Sequence, residues 1–481
     1  MKKIITLLLM IGFFSSCEDL LEEVPNDFIS RANFYKNATD AQAAVTGAYS
    51  SFYNNYGINY WLFLVNHTDY ENGRGSQAPI SDFSQVLDVG NVGRAASIWS
   101  SFYITINRAN SILENVPGIE MDEGLKKRYL AEAHFLRAMS YFNLVRGFGA
   151  VPLKTLESTD ISTIGAVRTP EDMVYDVIIQ DGITASEGLP ESVGGETGRA
   201  SRWAAKMLLA EVYLTRERWA EAAKEAGDVI ASNQYSLVRV NEPADFYDIF
   251  AVSTSTEDIL SIHHAPSKGS SLPGYLHRPG TPPYNYSSGG VYAWLPNEAS
   301  FLSTWDPNDL RRDFNLYTQY LGPDGNLVDL PAATPILFKK FITDPSGLSI
   351  YSDPVFRYAE AFLIFAEAES MANGGPTALA LERLNVIKRR GYGLDPHSPS
   401  AVDYPSGMGA AEFREAVLME RAYEFIVEGK RWHDLRRTGT VKEAMAKVGR
   451  TVIDERILWP IPQEEIDNNP DLTQADQNPG Y

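Results

Sequence analysis

RWAAKMLLAEVYLTRERWAEAAKEAGDVI, Arg202 to Ile230, is the stretch whose reading decides the fold. Leu209, Ala210, Tyr213, Trp219, Ala222, Ala226 and Val229 place small and large residues at the spacing of a tetratricopeptide repeat, where two antiparallel helices interlock. A looser copy runs from Tyr358 to Arg390, with Ala366, Ala378 and Asn385 in register and Gly374-Gly375-Pro376 as its turn. A third, at Glu132 to Tyr141, shows a first helix only. Toward the N-terminus, Ala41 to Tyr53 and Ala95 to Leu113 carry apolar residues at helical spacing, the second through Ile98, Phe102, Ile106, Ala109 and Leu113. Lys126 to Val145 does the same, with Gly147 and Gly149 as its stop. The expected class is mainly α: helical hairpins forming a scaffold.

Between the repeats the character changes. Residues 265–356 form a loop-rich, aromatic-rich insertion. Ala265 to Asp309 is punctuated by Pro-Gly, Pro-Pro and Gly-Gly, which argues for irregular loops. Phe314 to Leu330, with Gly322-Pro323-Asp324-Gly325 between short apolar runs, predicts a β-hairpin. An insertion of this size in a repeat scaffold is typical of a binding loop.

Composition narrows the function classes. The 481 residues, 44% apolar, are enough for roughly three domains of about 150 residues or one large repeat-built body. Acidic residues outnumber basic ones 62 to 42, a net charge of −20 that repels phosphate backbones and argues against nucleic-acid binding. The single cysteine, Cys17, excludes an internal disulfide framework, a thiolate zinc site and an iron–sulfur cluster.

That cysteine ends an address. Lys2 and Lys3 precede an uncharged run from Ile4 to Phe14, too short to span a bilayer, so residues 1–16 are expected to be a signal peptide. Phe14-Ser15-Ser16-Cys17 looks like a lipobox, with Phe14 where an aliphatic residue is usual, and predicts acylation of Cys17. Glu18, Asp19, Glu22 and Glu23 open an acidic, extended tether over residues 17–36. No later apolar run is long enough to cross a membrane, which leaves lipid chains as the expected anchor.

From Cys17 nearly to Tyr481 the chain resembles the SusD/RagB family of outer-membrane nutrient-binding lipoproteins. The segments that carry the likeness are Asn37 to Ala41 with Ala48-Tyr49, Arg128 to Ala138, Tyr358 to Ala361 with Ala366 to Ala368, and Glu420-Arg421 through Glu424, Glu428-Gly429 and Arg431 to Arg437. The ending, Pro460 to Glu465, Asn469-Pro470 and Gln477 to Tyr481, completes it, departing from the usual pattern only at Ala475-Asp476. The resemblance implies one helical domain over residues 37–481 with tetratricopeptide-like helix pairs. It also implies a non-catalytic, cofactor-free protein on the outer membrane, facing outward, that captures oligosaccharide and delivers it to a SusC-like TonB-dependent transporter. Peptide cargo and a surface glycoside hydrolase on the same scaffold are the alternatives. A purely protein-binding repeat scaffold would leave the aromatic loop unexplained.

A sugar site needs flat rings for the C–H face of a pyranose and polar groups for its hydroxyls. Tyr275, Tyr284, Tyr286, Tyr292 and Trp294, followed by Trp305, supply rings on the insertion; the competing reading is that they pin it to the scaffold. A second cluster, Tyr56 to Arg74, holds Tyr60, Trp61, Asn66, Asp69, Glu71, Asn72 and Arg74, and Asp69 with Arg74 resembles the acid and arginine that the family's first loop contributes to the ligand face; a structural salt bridge is the competing reading of that pair. Glu420, Arg421, Glu424, Glu428, Arg431, Asp434 and Arg436 invite a paired-carboxylate reading, but helical spacing favours mutual ion pairs. Gly73 to Ala78 fits a dinucleotide G-x-G-x-x-A pattern without the strand and crossover helix that chemistry needs. His263 and His264 are adjacent, so on a strand they point apart and make a poor metal pair.

Overall fold

The computed structural model describes residues 34–159, 165–264, 269–270, 272–277, 293–296, 300–341 and 352–481. The expected signal peptide, most of the acidic tether, Cys17, Tyr284, Tyr286 and Tyr292 lie outside the described residues.

The principal helices are α1 (Ala38–Asn55), α2 (Ile58–Asn66), α3 (Val89–Asn115), α4 (Glu123–Phe148), α5 (Glu171–Gly188), α6 (Arg202–Thr215), α7 (Trp219–Ala231), α8 (Tyr358–Ala372), α9 (Ala378–Gly391), α10 (Ala410–Glu424) and α11 (Arg431–Arg437). Many begin where a short polar side chain takes up free backbone N–H groups. Asn37 caps α1, Asp88 α3, Asp122 α4, Ser201 α6 and Thr377 α9. Helix α4 stops at Gly149, whose φ of +76° suits a residue without a Cβ. Gly147 lies inside α4 instead, where a Cβ would come within 2.6 Å of the Trp459 ring.

The Arg202–Ile230 repeat folds into α6 and α7, and the Tyr358–Arg390 copy into α8 and α9. The third copy has its second helix after all: α5 packs along α4 across a connection long enough to hide the repeat period. Neighbours in the stack follow chain order from α3 to α7. Helix α8 then packs on α7, although residues 232–357 separate them in sequence. Ala222, Ala226, Ala361 and Ala368, all fully buried, allow close helix approach.

The intervening residues build a core of their own. Tyr70, Phe246, Phe250, Leu276, Phe301, Trp305, Phe314 and Phe338 pack with Trp61 of α2 and Ile426 beyond α10. Short antiparallel pairs brace it. Strand β1 (Asn72–Gly73) pairs with β3 (Ala293–Trp294), and β2 (Asp258–Ile262) pairs with β6 (Asp353–Arg357). The expected hairpin is β4 (Gln319–Leu321) with β5 (Leu327–Asp329), turning at Gly325 with φ +78°. The chain's end straps the N-terminal helices: Trp459 N–H donates to Gly147 O at 3.0 Å, and Asn478 Nδ2 to Phe148 O at 2.9 Å. No described helix is long and apolar enough to cross a membrane.

Candidate functional site

The two candidate clusters meet at one strand pair. Antiparallel register sets Asn72 opposite Trp294 and Gly73 opposite Ala293. Gly73 is required there, since a Cβ would come within 2.3 Å of Gln77 O. Beyond β3, Leu295 N–H donates to Ile336 O at 3.0 Å, which aligns Trp294 with the hairpin. Trp294 and Tyr320, both half-buried, pack on a small cluster of Tyr317, Leu330 and Leu337. A ridge results that carries two partly open rings, the Asn72 amide and the exposed Arg74.

Arg450 underpins this ridge. Its guanidinium donates to Thr68 O at 2.8 Å, to Glu71 O at 3.1 Å and to Asn72 Oδ1. With Oδ1 engaged, Asn72 keeps its Nδ2 hydrogens without a partner among the described residues. Nothing in the sequence ties Arg450 to the ridge, because its contacts there span hundreds of residues, and Tyr320 comes beside Trp294 only through tertiary packing.

The other expected site residues lie elsewhere. Asp69 does not pair with Arg74: its carboxylate is gripped by the Arg431 fork at 2.9 and 2.7 Å. Burial works against the Asp69 charge, and Arg431 outweighs it, holding the carboxyl below its usual range. Arg74 is exposed and forms no ion pair among the described residues. Trp61 is 9% exposed and belongs to the second core, against which half-buried Tyr275 also packs. Trp305 is core as well, 2% exposed, stacked on Tyr423 with ring centroids 4.8 Å apart and bonded through Nε1 to Asp309 Oδ2 at 3.0 Å. For Trp305 the pinning role holds, because an apolar ring next to the second core is worth more buried than exposed, and Trp61 enters the same core from the scaffold side.

The C-terminal charges form ion pairs, with partners other than those helical spacing implies. Helix α10 ends at Glu424, and Val427 and Gly429 adopt φ of +55° and +74°, so Glu428 leaves the helical face. Glu424 is met by Arg311 at 3.3 Å, Arg357 at 3.0 Å and Arg390. Glu428 binds Arg357 at 2.8 Å and Lys340 at 2.6 Å, Glu420 binds Arg311 at 2.8 Å, and Arg421 binds Asp434 at 2.8 Å. Arg436 makes no ion pair among the described residues. Burial opposes charge on Glu424, but Arg390, Arg357 and Arg311 keep its carboxyl well below the usual range. Carboxylates saturated in this way and closed to solvent do structural work.

The remaining motifs resolve as follows. Gly73 does end a strand, of two residues, but the helix that follows is only Ala78–Ser81, so no dinucleotide cradle forms. His264 bonds Asp353 and Tyr53 while His263 bonds Ser352, so the two rings serve different partners. No cluster of metal-ligating side chains occurs among the described residues.

Stacked helical hairpins interrupted by an inserted core define a repeat-scaffold protein that carries its candidate binding ridge on the insertion. Two family models match the chain, one described as the SusD family over residues 316–481 and one as starch-binding associating with outer membrane over residues 21–214. A SusD-like protein of Formosa agariphila is 29% identical over 516 residues, covering 99% of this chain and 98% of its own. A SusD homolog from Bacteroides thetaiotaomicron has a similar structure, with a TM-score of 0.78 at 26% identity over 94% of this chain and 99% of that one. A laminarin-binding SusD-like protein matches with a TM-score of 0.76 at 26% identity, over 93% of this chain and all (100%) of that one. The chain belongs to the SusD/RagB family.

Proposed function

We propose that this protein is a non-catalytic, lipid-anchored glycan-binding protein of the outer membrane that faces outward. It captures oligosaccharide on the Asn72–Arg74–Trp294–Tyr320 ridge and passes it to a SusC-like TonB-dependent transporter. The observation that carries this reading is the β1–β3 register, which joins a ring-bearing strand to a polar loop and so supplies both faces of a sugar site. The similarity along the whole chain to a laminarin-binding relative supports the cargo class. Tyr275, Tyr284, Tyr286 and Tyr292 remain ligand-contacting residues in this proposal, and Asp69 acts from below by fixing the loop through Arg431. Trp61 has the same supporting place. The anchor is Cys17, and residues 37–481 act as one SusD-like body.

A hydrolase reading needs two carboxylates flanking an open cleft. The carboxylates of the C-terminal motif are closed off by guanidinium groups, which favours binding without turnover. The test is calorimetry of the mature chain against laminarin, starch and other plant and host oligosaccharides. Binding of at least one, weakened about thirtyfold in Trp294→Ala, is expected. Binding of peptides alone, or release of shorter sugars from a bound oligosaccharide within a day, would displace the proposal.

A further inference from the structure

A second pocket, of about 240 Å³, opens between the α5–α6 connection and β2. It shares no lining residue with the Trp294 ridge. At one end lie Asp258 and His263, both on the β2 arm. Asp258 Oδ1 accepts from Ser261 Oγ at 2.7 Å, while Oδ2 faces His263 Nε2 across 3.7 Å, too far for a hydrogen bond.

The hydrogen bonds on the other ring nitrogen define the kind of gap this is. Ser352 Oγ donates its hydrogen to Ser253 O at 2.7 Å, so His263 Nδ1, also 2.7 Å from Oγ, is the donor in that contact. Burial lowers His263 from the usual imidazole range and raises the Asp258 carboxyl from its own, against the pull of each group on the other, and Nε2 of the neutral ring presents a lone pair. Two acceptors therefore face each other with nothing between them to donate. Gly198 keeps the gap open to the pocket: with φ +85° it passes so close to the imidazole that a Cβ would lie 2.9 Å from His263 Cδ2.

A vicinal diol matches this arrangement. Its two hydroxyls sit about one hydrogen-bond length apart, so one donates to Asp258 Oδ2 and the other to His263 Nε2. The rest of the wall suits a sugar ring as well. Tyr235 is half-buried, with one side tilted against Tyr358 at 6.0 Å, and it lines the pocket. The Gln234 amide and the Thr254 hydroxyl, both exposed at the mouth, have no partner among the described residues. A cavity of roughly 150 Å³ already accepts a six-membered carbon ring, so this volume holds one pyranose with some of its water.

We propose that this pocket is a second carbohydrate site, which takes a single pyranose unit by a vicinal diol held between Asp258 and His263, with Tyr235 against its C–H face. The proposal stands independently of the Trp294 ridge, and its test is run with that ridge disabled. The mature chain carrying Trp294→Ala is examined by saturation-transfer NMR with methyl β-D-glucopyranoside and methyl β-D-galactopyranoside. Transfer to at least one sugar is expected, falling at least fivefold when Asp258→Asn is added, because the amide places a donor in the gap. Thr254→Trp, at an exposed position, fills the mouth and produces the same fall without touching a buried group. If Asp258→Asn does not fold by circular dichroism, Thr254→Trp alone decides. No transfer in Trp294→Ala, or transfer unchanged in both added variants, overturns the second site, whatever the ridge itself binds.

Discussion

Replacing Trp294 and Trp305 by alanine, one at a time, separates binding from folding. The two indoles lie close in sequence on the same insertion, yet they occupy opposite environments. Trp305 is 2% exposed, stacked on Tyr423 and tilted against Phe301 at 4.9 Å, with its Nε1 spent on Asp309. Truncating a buried ring of this size costs about 3–5 kcal/mol of stability. Asp309 keeps its Arg311 contacts at 2.6 and 2.9 Å, so no unpaired buried charge adds to that cost. Trp294 is partly open on a two-residue strand; at ~25 cal/mol per Å² over the roughly 125 Å² of half an indole, its removal costs about 3 kcal/mol of stability. If it forms the platform for the sugar, the variant also loses ~2 kcal/mol of binding, about thirtyfold in Kd. Urea unfolding gives the first quantity and calorimetry with a glycan that the native chain binds gives the second. Trp305→Ala should unfold much earlier in urea while its folded fraction binds within about threefold of the native chain. The reasoning fails if the pattern is crossed, with Trp294→Ala binding normally and Trp305→Ala folding normally.

Other consequences concern the scaffold. Glu424→Gln keeps the shape but leaves Arg311, Arg357 and Arg390 short of a counter-charge, and is expected to cost about 3–5 kcal/mol in urea unfolding; a loss below about 1 kcal/mol would contradict the network's role. Asp69→Asn, which removes the charge from the Arg431 fork, should cost ~2–3 kcal/mol at pH 7. Because the folded-state pKa of Asp69 is lowered, its contribution is complete above the unfolded value of about 3.9 and disappears as pH falls through the lower folded value. The gap between native and Asp69→Asn stabilities should therefore narrow below about pH 4, and a gap that stays constant down to pH 2 would rule out the fork as its source. Gly147→Val forces branched atoms into the Trp459 ring and should cost at least about 1–3 kcal/mol, seen as an earlier thermal transition; an unchanged transition would mean the C-terminal strap is not seated there.

Much of the scaffold was legible because its causes are local. Apolar residues at three- and four-residue spacing and Gly149 at a stop act within a turn or two of themselves. The hairpin around Gly325 was readable for the same reason. The partner of α4 was not, because a long connection to α5 breaks the repeat period. The charges after Glu420 do form the expected ion pairs, but their partners were not legible, because helical spacing assumes a continuous helix and α10 ends at Glu424.

By itself, the sequence determined a mainly helical repeat body, the kind of chemistry carried by its insertion and the membership of its segments in one family pattern. Only the tertiary structure decided which aromatic residues are available. Trp61, Trp294 and Trp305 are the same residue type, but the second core takes up two of them and the β1–β3 pair leaves the third half-open beside Asn72. It likewise decided that Asp69 answers to Arg431 and that Asp258 faces His263 across an unfilled gap. Burial and charge pairing depend on what long chain closures bring together, and those contacts leave no period in the sequence to read.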